Sequence, residues 1–215
     1  MRSVPRWTVI SSGVAPFLLV GGWLAAGALQ SPGYDPVSDT ISALAGTTAS
    51  YSWIMTGVLF ALGLCHWATA YGLRAVSTPG RVALACGGVA SVLVALAPES
   101  AAGPSARHSA SAAFGVVALG LWPCLAARYG RPGPRALRPW ASNAATAMTL
   151  VIALWFLYAL RGHGTAGLAE RVLTGFQTLW PLVVVASCLR YAARTAPSGA
   201  MRDARTESSS GEQRS

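Results

Sequence analysis

All sixteen basic residues of this chain are arginines, and thirteen of them fall in alternate gaps between six apolar stretches long enough to cross a bilayer. A helix needs about 20 mostly apolar residues to traverse the hydrocarbon core. Such runs lie at Trp7–Leu29, Tyr51–Leu73, Val82–Ala97, Ser109–Ala127, Trp140–Leu160 and Leu168–Leu189. Of the charged residues, only Glu170 and Arg171 sit just inside a boundary. The fold class this implies is all-α: a polytopic membrane bundle of six transmembrane helices.

Orientation follows from the same arginines, because positive charge near span ends is retained on the cytoplasmic side. Arg2 and Arg6 precede the first run, Arg74 and Arg81 flank the second gap, and Arg128, Arg131, Arg135 and Arg138 fill the fourth. Arg190, Arg194, Arg202, Arg205 and Arg214 follow the sixth. The opposite gaps hold Arg107, Arg161 and Arg171 together with Asp35, Asp39, Glu99 and Glu170. Both termini are thus expected in the cytoplasm, with residues 1–195 forming the transmembrane domain and 196–215 a disordered cytoplasmic tail too polar to bury. The protein is expected as a multi-pass protein of the inner or plasma membrane.

Hydrophobic residues make up 53% of the chain and charged residues 11%, far from a soluble average. A net charge of +9 raises the question of nucleic acid. The arginines are spread over loop ends with no helix or aromatic ladder to present them, so anionic lipid headgroups, not nucleic acid, are the expected partners. The first run has a basic start and an Ala26-Gly27-Ala28 resembling a cleavage site, but it exceeds the ~7–15 residues of a signal core and is read as a retained helix. Cys65, Cys86, Cys124 and Cys188 lie within runs and form no C-x-x-C, so neither a disulfide framework nor a structural zinc is expected. Pro16, Pro123 and Pro181 interrupt three runs, where neighbouring helices must satisfy freed backbone groups. The third run is rich in Gly and Ala, which suggests a central helix approached closely by others.

The arginine-poor loops carry the unusual chemistry. In Ser31–Gly46, Pro-Gly and Asp-Pro mark turns, and Ser38 or Asp39 is expected to cap a short helix through Leu44 whose Ile41, Leu44 and Ala45 form one apolar face. Asp35, Ser38, Asp39 and Ser42 are candidate ligand-binding residues, together with Glu99, His108, Glu170 and Arg171 from the other two loops. Glu170 near a helix start is favoured by the macrodipole. Arg171 is expected to pair with Asp35, Asp39 or Glu99, since ionisable groups at membrane depth find partners.

Imidazole is a versatile base and metal ligand. His108 with Asp39 or Glu170 forms a candidate catalytic set, either as acid and base or as a triad with Ser38 or Ser42. His108 and His163 with a carboxylate could hold zinc, but no histidine spacing supports it, so no metal or cofactor is expected. His66, inside the second run, is expected as a hydrogen-bonded interior histidine.

Three strings carry a resemblance: DPVSDTISALA after the first run, PESAAG leading to RHSASAAFG, and GLAERVLTGFQTLWP at the sixth. With them the chain resembles the family called domain of unknown function 998, bacterial and archaeal integral membrane proteins of about this size. The likeness spans roughly residues 10–190, and its marked positions include Asp35, Ser38, Asp39, Ser42, His108, Glu170 and Arg171. It implies six membrane helices and no agreed activity. The family pattern commonly has a glutamate where this chain has Ala43, so no role for that carboxylate carries over.

The favoured expectation is a protein that binds a lipid headgroup or small polar ligand at this polar cluster. The alternatives are an intramembrane hydrolase or lipid-modifying enzyme using His108 with Asp39 or Glu170, and a proton-coupled transporter relying on His66.

Overall fold

The computed structural model describes residues 4–130 and 132–196. All of the expected tail but Ala196 lies outside that range, as do Arg2, Arg131, Arg202, Arg205 and Arg214. The described chain is helical, with α1 at Arg6–Ala28, α2 at Ile41–Leu44, α3 at Trp53–Gly72, α4 at Thr78–Ala95, α5 at Ala106–Ala126, α6 at Pro139–Ala159 and α7 at Ala166–Thr195; a 3-10 turn covers Arg135–Leu137. Six of these helices are long and apolar enough to cross a membrane.

Local chemistry sets the helix starts. The Ser77 hydroxyl accepts the Gly80 N–H at 3.3 Å, which starts α4 four residues ahead of the apolar run. Ser105 does the same for the His108 N–H at 3.2 Å, and Pro139 opens α6, where its missing N–H costs nothing. Pro123 lies within α5, and the N–H of Cys124 beside it is met by the Thr146 hydroxyl of α6 at 3.1 Å.

The six long helices form a closed ring in the order α1, α3, α4, α5, α6, α7, with α7 returning to α1. Lipid gives helices no hydrophobic reason to associate, so close approach depends on small residues. Gly63 of α3 and Gly88 of α4 face each other so tightly that a Cβ on either would lie 2.8 Å from the other's carbonyl oxygen. Gly80 meets the backbone of Ala126, and Gly87 seats the Leu119 side chain. Helix α4 is therefore one stave of the ring and not its centre, contrary to the composition-based expectation; its small residues serve two neighbours side by side. Phe17, Leu24, Trp53 and Leu154 are among the large apolar side chains left exposed on the ring, as a lipid-facing surface requires.

The two ends differ. At the arginine-rich end, Leu84, Trp122, Leu137, Val184 and Val185 are fully buried in one apolar cluster. The 3-10 turn drives Leu137 into it, held by Ala136 N–H to Ser187 Oγ at 3.1 Å and Ser142 Oγ to the Ala136 carbonyl at 3.1 Å. The arginine-poor end instead encloses a cavity covered by the α1–α3 connection.

Candidate functional site

The covering loop is built from its own side chains first. The Asp39 carboxylate accepts the Asp35 N–H at 2.9 Å, while Asp35 accepts the Val37 N–H at 3.0 Å and the Ser38 hydroxyl at 3.1 Å. The Val37 amide, foremost, holds the exposed Asp35 carboxyl below its usual range. Gln30 ties the loop's ends together, donating to the Ala26 and Ser50 carbonyls at 2.8 Å each and accepting the Ser50 N–H at 3.0 Å. Thr40, not Ser38 or Asp39, caps α2, its hydroxyl accepting the Ala43 N–H at 3.1 Å. Ser38 and Asp39 are already committed to the preceding turn. Ile41, Leu44 and Ala45 are buried, as their spacing predicts.

Helix α7 grips this loop through its first turn. The N–H groups of Gly167 and Leu168, unpaired within a helix start, donate to the carbonyls of Ser38 and Val37 at 3.2 and 2.9 Å. A Cβ at Gly167 would collide with the carbonyl oxygens of Asp39 and Pro36, so only glycine permits this approach. Glu170 is buried and accepts the Ile41 N–H at 2.5 Å and the Ser42 hydroxyl at 3.1 Å, adding a carboxylate to the amino end of α2. Arg171 donates to the carbonyls of Pro36 at 2.7 Å, Asp39 at 2.8 Å and Gly167 at 2.9 Å, and to the Tyr34 hydroxyl. Its guanidinium also lies 6.0 Å from the Trp23 ring centre. Burial pushes the Tyr34 phenol up, opposed by Arg171. The expected carboxylate partners of Arg171 are thus replaced by main-chain oxygens gathered around Nη1, while Nη2 reaches Tyr34.

The third loop brings the imidazole. Ser100 and Gly103 exchange backbone hydrogen bonds, a tight return that sets Glu99 beside α5. His108 is buried, with Nδ1 2.8 Å from the Ala97 carbonyl and Nε2 3.3 Å from Glu99 Oε1. A carbonyl only accepts, so Nδ1 carries hydrogen and donates it to Ala97, and Nε2 faces the Glu99 carboxyl. Burial raises the Glu99 carboxyl above its usual range, and His108 opposes that shift. The Glu99 carbonyl also accepts the Thr47 N–H at 2.7 Å, joining this loop to the first.

Four of the candidate residues, Ser42, Glu99, His108 and Glu170, therefore line one cavity of about 520 Å³. Below them its walls are mostly apolar, including Leu62, Val94, Ala112, Val116 and Phe156, and its lining continues down to His66, Gln177 and Thr178. Asp35, Ser38 and Asp39 hold the cover from outside the cavity, and Arg171 braces it. His108 meets Glu99, where Asp39 or Glu170 was expected as its carboxylate partner. The Ser42 hydroxyl donates to Glu170. His163 stacks on Tyr158, with centres 3.7 Å apart, and its Nδ1 lies 2.7 Å from the Tyr158 carbonyl, so it does not join His108. No group of three or more metal-ligating side chains occurs among the described residues. Sequence reasoning missed Gln30 and Tyr34 as holders of the cover, and Gln177 as a wall residue; a lone glutamine at mid-span was the available signal for the last.

Comparison with known proteins gives one match. The family described as a protein of unknown function, DUF998, matches residues 13–187. No curated protein and no solved structure matches the chain.

Proposed function

The chain belongs to the DUF998 family, and from that premise we propose that this multi-pass membrane protein binds an amphiphile whose headgroup donates hydrogen bonds. The headgroup sits among Ser42, Glu99, His108 and Glu170, and the tail runs down the apolar sleeve between the helices. The supporting observation is the cavity itself, polar at one end and apolar along its walls. Carboxylates offer about four acceptor sites each, and Glu170 uses two while Glu99 shares one oxygen with His108. Such a rim favours hydroxylated or amine-bearing headgroups and repels phosphate or carboxylate. The arginine distribution supports an orientation with the apolar cluster of Trp122 and Leu137 toward the cytoplasm and the polar end of the cavity toward the outer leaflet.

Extraction of the protein with its surrounding lipid, followed by lipid analysis, tests this reading. One neutral or amine-bearing class should be enriched over the bulk membrane, and Ala112→Phe, which fills the sleeve without touching a polar group, should abolish the enrichment. A lipid profile identical to the bulk membrane overturns it. Labelling of single cysteines by an impermeant maleimide tests orientation: positions 47–49 should react from outside and positions 132–134 only after permeabilisation.

A second reading is favoured by one observation, the pairing of His108 with Glu99 at the cavity wall. In a lipid-modifying enzyme the Glu99 carboxylate would take a proton from water attacking a headgroup ester and pass it to the departing alkoxide, while His108, fixed by the Ala97 carbonyl, positions that carboxylate. Turnover of a bound ester lost in both His108→Gln and Glu99→Gln would establish it; an ester held intact in the wild type would remove it.

A further inference from the structure

The floor of the cavity holds a residue that the mouth does not explain. His66 of α3 is 2% exposed, and neither of its ring nitrogens has a hydrogen-bond partner. Buried polar groups are nearly always satisfied, and an orphan calls for a specific reason. Three other orphaned side chains, Thr8, Trp122 and Trp180, do not line this cavity, whereas His66 does. Gln177 and Thr178 of α7 line it too; the Gln177 amide nitrogen is fixed by the Val116 carbonyl at 3.1 Å.

The depth of this floor follows from helix register. Gly63 faces Gly88, and Gly87 seats Leu119, so His66, one turn beyond Gly63, lies near the level of Leu119 on α5. Eleven residues separate His108 from Leu119 along α5, which at 1.5 Å per residue is about 16 Å. A plain hydrocarbon tail reaching that depth would leave both imidazole nitrogens dry. A neutral imidazole has one donor and one acceptor, the complement of a hydroxyl group, and its donor alone suits a carbonyl.

We propose that His66, with Gln177 and Thr178, forms a second polar subsite that recognises an oxygen function carried on the ligand's chain about 16 Å from its headgroup. This rests on the reading of the cavity as an amphiphile site. The preferred ligand class is an oxygenated chain, hydroxy or keto at its far end, joined to a donor headgroup.

The probes are monolaurin, whose glyceryl headgroup is neutral and hydroxylated, and its ω-hydroxylauroyl counterpart, each titrated against the full chain in nanodiscs. The wild type should bind the ω-hydroxylated probe about tenfold more tightly, the scale of one buried hydrogen bond. His66→Leu should bring the two affinities together by weakening the hydroxylated probe alone, and His66→Asn should restore part of the preference. His66→Leu should also raise the thermal stability of the ligand-free protein, because it removes an unpaired buried polar group. Equal binding of both probes by the wild type overturns the second subsite and leaves the amphiphile reading standing. Binding of neither probe overturns both.

Discussion

The two ends of the ring use the same six helices to opposite purposes. At the arginine-rich end, Trp122 and Leu137 complete a packed apolar cluster, and Arg135, Arg138, Arg190 and Arg194 line a separate groove beside it. At the arginine-poor end, Glu170 and Arg171 direct most of their hydrogen bonds to backbone and side chains of the first loop, and a cavity lies below it. Side-chain volume fills one end, while directional bonds to a separate segment cover the other. The cluster must fail by loss of packing, and the cover by loss of partners.

Replacement of Trp122 by alanine should give the largest effect, a destabilisation of about 3–5 kcal/mol, read as unfolding in micelles. The cover should stay in place, so a cysteine at position 44 should remain unlabelled in folded protein. Glu170→Ala should be next. It strands the Ile41 N–H and the Ser42 hydroxyl, at about 1–3 kcal/mol for each buried group, and should expose position 44 to an impermeant maleimide. Arg171→Ala should do likewise. Because both residues hold one loop, the double variant should lose less than the sum of the singles, and strict additivity would show two independent attachments.

Gly167→Ala and Gly80→Ala set the two ends against each other at equal chemistry. Each added methyl meets backbone, and each should cost about 1–3 kcal/mol. Only the Gly167 variant should unlock labelling at position 44; labelling in both would erase the distinction between cluster and cover. The smallest effect concerns pH. Burial raises the Glu99 carboxyl above its ordinary 4.5, so the folded state holds this proton more tightly than the unfolded one. Its stabilising contribution is complete below about pH 4.5 and is lost as pH rises through the raised value. Glu99→Gln should flatten that slope in melting temperature against pH.

The spans were legible in the sequence because hydrophobic length and charge exclusion are local properties. The expected runs and the observed helices differ by a few residues, mostly where a cap decides: Ser77 starts α4 early, and α7 runs on to Thr195 because arginines beyond the apolar stretch are good helix formers. The residues of the candidate site were legible as polar groups of the arginine-poor loops, of which Ser42, Glu99, His108 and Glu170 line the cavity. Their pairing was not. Glu170 meets Ile41 across 129 positions, a contact created only when α7 closes against α1, and no periodicity encodes ring closure. Likewise Ser38, Asp39 and Thr40 are all chemically fit to cap α2; the choice falls to Thr40 because the other two are used by the turn that α7 grips. His66 looked like a hydrogen-bonded interior histidine, and its lack of a partner emerges only from the cavity beside it.

Ring closure by the last helix has a consequence for biosynthesis. The fastening for the first loop is translated more than a hundred residues after that loop, which at about 5–20 residues per second is a delay of roughly 6–25 seconds. Until then the nascent protein is an open trough whose cover has nothing to hold it. A ribosome that stops before Gly167 leaves five long helices with two unsealed edges, so premature termination late in this gene should be as damaging as termination early.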